Sequence, residues 1–575
     1  MIATPRKWVK LFPGCLHLSR VLSEMAVAFT VIALIAMPPG IAQQPPTAPA
    51  RATNRPAASG YRITGKVVDA HSGAPLSRCS VQIADVKERT QSRTLISGDD
   101  GSFAFNDVPP GKYSLTAQRR GYLTQAYEEH DDFSTAIAVG PSLEPENLVF
   151  QLTAEAVLAG TIVDEAGDPV RGAQIRLFED QDNSGRRSTV QRQAVMSDDR
   201  GAYEIAGIKP GAYFLVVTAR PWYAQRLQRT TSGAQEDQAN SEASESQALD
   251  VAYPTTFYPG VTDEDSATPI PVKGGERLEA NLTLSPQQAL RLRVNLPSGE
   301  SRRGTSVMLS QSLFGQVEPS PTQMTFGPDG TVEVDGILPG HYDVAVSRFG
   351  GEGQRASDPK HFEADVSGGA TELAEDTGIG EVSLTGKVAS GTGKLPSPAG
   401  ISFRSSHGHR QEFAALSDAG EFTISLQPGT YEVIGNVTGM YIAGLTANGA
   451  SLTGRMLTLK AGDTPKLTII AGSGEGEVEG VALRSGKPAS AVLVLLAPLD
   501  PKNNEILFRR DQSDSDGTFD LQNVVPGHYR LLAIEKGWEL EWANPAVLEA
   551  FWAKSVPVEV KPGDHLKQPV EVQSR

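Results

Sequence analysis

The chain of 575 residues carries a formal net charge of −16, with 57 Gly, 39 Pro, 2 Cys and 39% hydrophobic residues. An acidic balance of this size repels nucleic-acid phosphates and anionic lipid surfaces, and no basic stripe overturns it, so neither is expected as a partner. The Gly and Pro content suits several small, turn-rich cores rather than one large core, and length alone suggests about four domains.

Residues 1–42 read as a signal peptide. Arg6, Lys7, Lys10 and Arg20 form a basic region ahead of the apolar run Ala26–Met37, and Gly40-Ile-Ala42 supplies small residues for cleavage. The run is shorter than the roughly 20 residues that span a bilayer, and Glu24 and Pro38-Pro39 bar its extension. No transmembrane span is expected after cleavage. Residues 43–60 form a Pro/Ala-rich linker. Cys79 is then the one cysteine of the mature chain, so internal disulfides are excluded; on a predicted strand with no histidine near in sequence, it reads as a buried structural thiol.

From residue 61 onward one stretch returns five times. Its clearest copy runs from Ser97 to Tyr113, with an Asp-Asp-Gly turn, the alternation Phe103-Ala-Phe105, a Pro-Pro-Gly turn and then Tyr113. The others run through Ser197–Tyr213, Gly327–Tyr342, Ser417–Tyr431 and Ser513–Tyr529. The gap from the first Gly to the Pro of Pro-Gly is 9, 9, 9, 8 and 9 residues. Gly takes positive φ without steric cost and Pro fixes the first corner of a turn, so each copy reads as turn, strand, turn, strand. Alternation with a period of two marks strands with one buried face. An opening strand precedes four copies with a central Gly, at Gly65, Gly160, Gly386 and Gly480, whereas the third module opens on Leu290-Arg-Leu292-Arg-Val294 and lacks it. Each module ends in a short strand, a Gly turn and a second strand, as in Val556–Val560 followed by Gly563.

About seven short strands per unit, with turn signals every 8–12 residues, predict antiparallel β-sandwiches. The chain is therefore expected to be all-β, a tandem array of five modules after the signal peptide. They span 61–155, 156–287 with a solvated loop inserted at about 224–250, 288–380, 381–472 and 473–575. Asn544 and Pro545 start the best helix of the mature chain, expected at about 545–553.

The pattern Gly-x-Val, Gly-x-Pro-Val/Leu, Asp-x-x-Gly-x-Phe, Pro-Pro-Gly-x-Tyr-x-Leu and Gly-Tyr resembles the carboxypeptidase regulatory-like domain. Residues 61–155 carry it most fully, including Gly73-Ala-Pro75-Leu76 and Gly121-Tyr122, and residues 158–217 follow with Gly167-Asp-Pro169-Val170. The resemblance implies a transthyretin-like sandwich of the carbohydrate-binding-like group, in a string similar to large secreted bacterial proteins.

Several chemistries are weighed against these residues. A zinc carboxypeptidase site needs His-x-x-Glu and a distant histidine. His409-Arg-Gln-Glu412 has the short spacing and His528 lies downstream, but they fall between strands and on a turn of different modules, with no room for a catalytic α/β domain. The Asp-rich turns at Asp99-Asp100 and Asp514-Ser-Asp516 bring carboxylates together as calcium requires, yet none continues into an EF-hand, and the turn already explains them. Nucleophile-elbow and phosphate-loop motifs are absent. No catalytic residue, metal ligand or cofactor is assigned.

Aromatic residues are the better lead. Trp222, Tyr223, Tyr253, Phe257 and Tyr258 bracket the inserted loop, and Trp538 and Trp542 lie near Trp552 in the last module. Exposed rings of this kind stack on sugars or anchor a protein partner, whereas the same rings turned inward cap the ends of small sandwiches. The sequence thus predicts a non-catalytic, secreted or envelope-exposed binding or spacer protein. Its expected partners are polysaccharide or envelope proteins. The alternatives are a true carbohydrate-binding protein using these aromatics and an accessory chain of a carboxypeptidase or other secreted hydrolase.

Overall fold

The computed structural model describes residues 60–574 apart from 89–90, 144, 184, 225–249, 296–304, 321–322, 327–330, 349–359, 369, 375–380, 392–394, 396–398, 407–410 and 437–438. The signal segment, the linker and most of the 224–250 insertion therefore lie outside the described residues. The described residues are strand and turn, with one short α-helix and a few 3₁₀ turns.

The first module shows how the repeated stretch builds a sandwich. One sheet places the opening strand Tyr61–Asp69 between Ser102–Val108 and Leu148–Leu152; the other places Ser80–Asp85 between Ser92–Ile96 and Gly111–Gln118. Alternation along the opening strand turns Ile63, Gly65 and Val67 inward and Arg62 and Lys66 out. The inward residues of both sheets, with Phe103, Phe105, Leu115 and Phe150, make a single core. The Asp-Gly turn carries the chain from one sheet to the other, and the Pro-Gly turn carries it back. The repeated stretch is thus a double crossing of the sandwich, not a hairpin within one sheet. The third module departs at the first crossing, where Gln323–Phe326 pairs directly with Thr331–Ile337.

Both corners are held by contacts that recur. At the first, Gly101, Gly201, Gly420 and Gly517 have φ between 71° and 77°, and their carbonyls accept from Val67, Ile162, Val388 and Ala482 of the opening strands. At the second, the tyrosine hydroxyl donates to the carbonyl four residues earlier in all five modules: Tyr113 to Pro109 at 3.0 Å, Tyr213 to Lys209 at 2.9 Å, Tyr342 to Leu338 at 2.8 Å, Tyr431 to Gln427 at 2.9 Å and Tyr529 to Val525 at 2.6 Å.

The sheets are not purely antiparallel. The last strand of every module runs parallel to the opening strand: Leu148–Leu152, Arg277–Glu279 with Leu282–Thr283, Ala370–Ala374, Lys466–Ser473 and His565–Lys567 with Val570–Gln573. The short strand before it pairs with the tyrosine strand of the opposite sheet, as Ile137–Val139 does with Gly111–Tyr113. The ending therefore crosses the sandwich once more. A parallel neighbour cannot be reached by a hairpin, and here the whole module is the connection. In the fifth module Val570–Gln573 pairs with both sheets and joins them into one of nine strands. The C-terminal helix is shorter than expected: α-helix covers Pro545–Glu549, with Asn544 capping Ala546 N, and Trp552–Lys554 is a 3₁₀ turn.

The opening-strand glycines have a steric cause. Gly65, Gly160, Gly386 and Gly480 stand directly across from Phe103, Tyr203, Phe422 and Phe519. A Cβ on Gly386 would lie 2.2 Å from the Phe422 ring, and on Gly480 1.9 Å from the Gln568 carbonyl oxygen as well. In the third module both partners change together, and Val294 faces Val332. Gly386→Val is expected to destabilise the fourth module by about 3 kcal/mol through overpacking. Adding Phe422→Val should return more than about 1 kcal/mol of that loss as coupling in a double-mutant cycle. Urea unfolding read by hydrogen exchange of fourth-module peptides measures it, and strictly additive losses would show that the ring is not what excludes the side chain.

Candidate functional site

The seven predicted aromatics do not form one surface. Trp222 is 83% exposed, but Tyr253, Phe257, Trp538 and Trp542 are only 6%, 3%, 8% and 4% exposed, and Tyr223 and Tyr258 are half-buried. The surface expectation is corrected at those four buried residues. Trp222 meets Tyr223 edge to face at 5.7 Å, and the Tyr223 hydroxyl donates to Glu165. Burial, reinforced by Glu165, holds the Tyr223 phenol above its ordinary pKa. Phe257 is buried because module three covers it: Phe178, Val216, Phe257 and Leu313 form a cluster with Phe214 and Phe314 packed on it. The strand Gly211–Thr218 consequently hides both faces, which its run Phe214-Leu-Val-Val217 encodes by abandoning alternation.

Trp538 and Trp542 are buried for a parallel reason. Leu493–Pro498 is covered on both faces, one by its own sandwich core and the other by Trp538, Trp542, Leu548 and Phe551. Phe133 of module one packs against the same cluster. The guanidinium of Arg510 lies over three rings, 5.2 Å from Phe133, 5.6 Å from Trp538 and 5.4 Å from Trp542, and pairs with Asp131 at 3.0 Å. A desolvated cation over aromatic faces contributes about 2 kcal/mol.

That cluster is one end of a seam between the first and last modules. Gln512 donates to the Glu128 carbonyl at 2.6 Å and to the Thr135 hydroxyl at 2.9 Å. Its Oε1 lies 3.0 Å from His130 Nδ1, and the His130 ring stacks on Trp538 at 5.9 Å. Asp514 accepts from Ala136 N at 2.9 Å and from Lys112 Nζ at 2.6 Å, and Lys112 also donates to Thr518. Ser515 completes the strip, donating from N to the Ala136 carbonyl and accepting from Ala138 N. Modules two and four reach the fifth as well: Ala543 N donates to the Gly185 carbonyl, and Ile506 N donates to Glu432.

Between modules two and three the seam opens into a cleft of about 570 Å³. Its walls include Gln174, Arg176, Gln191, Thr218 and Tyr253 of module two, with Gln311, Glu318 and Tyr342 of module three. Arg176 pairs with Glu318 at 2.6 Å among the lining residues, which also include Phe257 and Leu313 of the apolar cluster.

Among the described residues no group of three His, Cys, Asp or Glu stands close enough to hold a metal ion. Asp514 is engaged by Lys112 and Ala136 N, and Asp516 accepts from Thr518. His409 lies outside the described residues, while His528 is exposed on its corner. Cys79 is buried, its thiol donates toward the Leu76 carbonyl, and burial pushes its pKa up.

Residues 62–152 and 157–241 match the model of the carboxypeptidase regulatory-like domain. Residues 62–241 thus carry two carboxypeptidase regulatory-like domains in tandem. Among solved structures it is similar to the Bacillus anthracis TIE protein, at 11% identity over 88% of this chain and 73% of that one, with a TM-score of 0.17. It is also similar to the minor pilin of Streptococcus agalactiae, at 15% identity over 42% and 100% with a TM-score of 0.20. Two B repeats of the collagen binding protein of Staphylococcus aureus follow at 13% identity over 72% and 99%, with a TM-score of 0.11. Similarities this loose bear on no question of function. No curated protein matches the chain.

In the two matched regulatory-like domains the remaining motif residues have structural tasks. Gly73 and Gly167 take positive φ, and Pro75 and Pro169 bridge back to Val68 and Val163. The Tyr122 hydroxyl ties the Gly-Tyr motif to Asp69 at 3.0 Å. Sequence reading did not find the seams, because Gln512 and Arg510 sit about 380 residues from their partners and have no local pattern. The available signal was the continuous run Leu493-Val-Leu-Leu-Ala497, which demands a cover on both faces.

Asp511 lies beside the seam, where its carboxylate accepts from Asp520 N at 2.7 Å. Burial pushes this carboxyl up to about 7 despite that bond, and Asp514 and Asp520 add repulsion. The folded chain therefore holds this proton more tightly than the unfolded chain, and stability rises as pH falls through 7. The thermal midpoint is expected to be higher at pH 5.5 than at pH 8. Asp511→Asn should raise the pH 8 midpoint and flatten the difference; an unchanged slope in that variant would assign it elsewhere.

Proposed function

We propose that the protein is a non-catalytic binding and spacing scaffold of the cell exterior. The observation that carries this reading is the seam between the first and fifth modules, where charged and amide side chains are paired across a boundary some 380 residues apart in sequence. Residues 58–575 cluster as one compact unit. Modules that brace one another present their surfaces at fixed spacings, which suits a spacer or a binder with several contacts. The basic and apolar residues of positions 6–37 support export. Small-angle scattering of residues 58–575 is expected to give one rigid compact body. A curve that needs an ensemble of independently swinging modules would overturn the scaffold.

A second reading, carbohydrate binding, is favoured by Trp222, a large ring left exposed beside Tyr223. An indole face open to water is suited to stacking on a sugar ring. Retention on insoluble cell-wall and plant polysaccharides is expected, and Trp222→Ala should reduce it several-fold while leaving the thermal midpoint unchanged. Equal retention of wild type and variant would remove Trp222 from the site.

A further inference from the structure

We propose that a cleft between the fourth and fifth modules is a binding site for a small monocarboxylate with an apolar body. The inference rests on the scaffold reading, because the cleft exists only while these two modules keep their contact. Its volume of about 340 Å³ lies at the lower end of small-ligand sites. One wall is the segment Tyr441–Leu445 of the edge strand Met440–Asn448, and the other comes from Leu507, Val525 and Pro526 of module five.

Arg455 stands at the join. It follows Gly454 on the turn between the paired strands Ser451–Thr453 and Met456–Leu459, and its backbone is tied on both sides. Its N donates to the Asn503 carbonyl of module five at 2.9 Å, and its carbonyl accepts from Val433 N at 3.0 Å. Gly454 has φ of 58°, and a Cβ there would lie 2.7 Å from the Asn503 carbonyl oxygen, so the turn seats against module five only without a side chain. The guanidinium reaches the edge strand, where Nη2 donates to the Ile442 carbonyl at 3.0 Å.

Charge selects the ligand. Arg455 is 8% exposed, yet among the described residues no carboxylate pairs with it. Glu432, the acid whose field reaches it, is already engaged by Arg404 and by Ile506 N. In the adjoining segment of module five, Asp500 accepts from Asn503 and Glu505 pairs with Arg186 at 2.7 Å. Arg509 is a second cation, held by the carbonyls of Ile506, Phe508 and Asn523. Burial holds the Arg455 pKa below its ordinary value against the attraction of Glu432, and Arg509 adds repulsion. A buried cation without an anion is costly, and a ligand carboxylate supplies both the charge and the acceptors. The donors that Ile442 leaves free are within reach: Arg455 lines the cleft, and none of its nitrogens is both sealed and unbonded.

The walls set the rest of the ligand. Leu445, Leu507 and Pro526 are half-buried and line the cleft with Ile442 and Val525, which suits an alkyl or aryl body. One guanidinium balances one negative charge. A phosphate group carries about −1.5 to −2 and would leave the excess against apolar walls, so a single carboxylate fits and a phosphate does not.

Isothermal titration of the full chain with hexanoate and phenylacetate tests the site, with hexanamide, phenylacetamide, inorganic phosphate and a short peptide ending in a free leucine carboxylate as comparisons. Saturable binding of the two acids is expected, and none of the amides. Arg455→Gln should weaken it at least tenfold. Because Arg455 also braces the edge strand, Ala443, an exposed lining residue, supplies an independent pair. Ala443→Glu brings a competing carboxylate to the guanidinium and should weaken binding at least tenfold, whereas Ala443→Lys, of similar bulk, should leave it nearly unchanged. Equal binding of the amides, or equal loss in the two Ala443 variants, would overturn selection by charge. Binding of phosphate alone would overturn the carboxylate class, and binding of the peptide alone would overturn the small acid in favour of a chain terminus. No binding of any probe would overturn the site. Scattering of residues 58–575 as one rigid body would then leave the scaffold standing without it, and swinging modules would overturn both.

Discussion

Five times along the chain a tyrosine hydroxyl reaches back to the carbonyl four residues before it. The bond contributes only about 1 kcal/mol by itself. Its importance is positional. The Pro-Gly corner it closes is where the chain leaves one sheet for the other, and the tyrosine ring lies in the core between them. Fixing that corner fixes the offset of the two sheets, and with it which residues of the following strand face inward. The adjacent Asp-Gly corner is pinned to the opening strand in the same manner, by glycine carbonyls that accept from its backbone. Two corners and the strand between them thus define the module in four of the five copies. The third module departs from the pattern: its opening Gly and the facing aromatic, which lies on the strand between the corners, are both replaced by valines, while its tyrosine bond remains.

That division explains what the sequence made legible. Strand alternation at Ile63, Gly65 and Val67, the turn glycines and the five tyrosines are local signals with local causes, and the structure follows them. The parallel pairing of first and last strands has no such signature, because it joins residues separated by a whole module. Tyr253, Phe257, Trp538 and Trp542 are buried against expectation for the same reason, whereas Trp222 is exposed. Trp538 and Trp542 are near Pro and Gly and lie outside any strand pattern, which is how an exposed ring and the cover of a second sheet face both read. Only the unbroken apolar run at Leu493–Ala497 separates the two cases, since a strand with one wet face alternates.

The seams also divide the surface by chemistry. Where modules two and three meet, Phe314 closes an apolar contact, Arg176 and Glu318 form an ion pair, and the cleft beyond is polar and open. Where modules one and five meet, the pairing is nearly complete from Lys112 and Asp514 at one end to Arg510 among its rings at the other. The paired seam fixes orientation, whereas the seam between modules two and three leaves a cleft. The carboxylates around Asp511 show the cost of the first arrangement, since packing them beside the seam raises the affinity of one of them for a proton.

Docking of the first module on the last sets this protein apart from open repeat arrays. A solenoid grows or shrinks at its ends because each unit touches only its neighbours. Here the terminal modules are partners, through Gln512, Arg510 and Lys112. Inserting or deleting a module would displace one partner from the other and expose Trp538 and Trp542 together. The separation of modules one and five along the chain is therefore constrained by the contact they make.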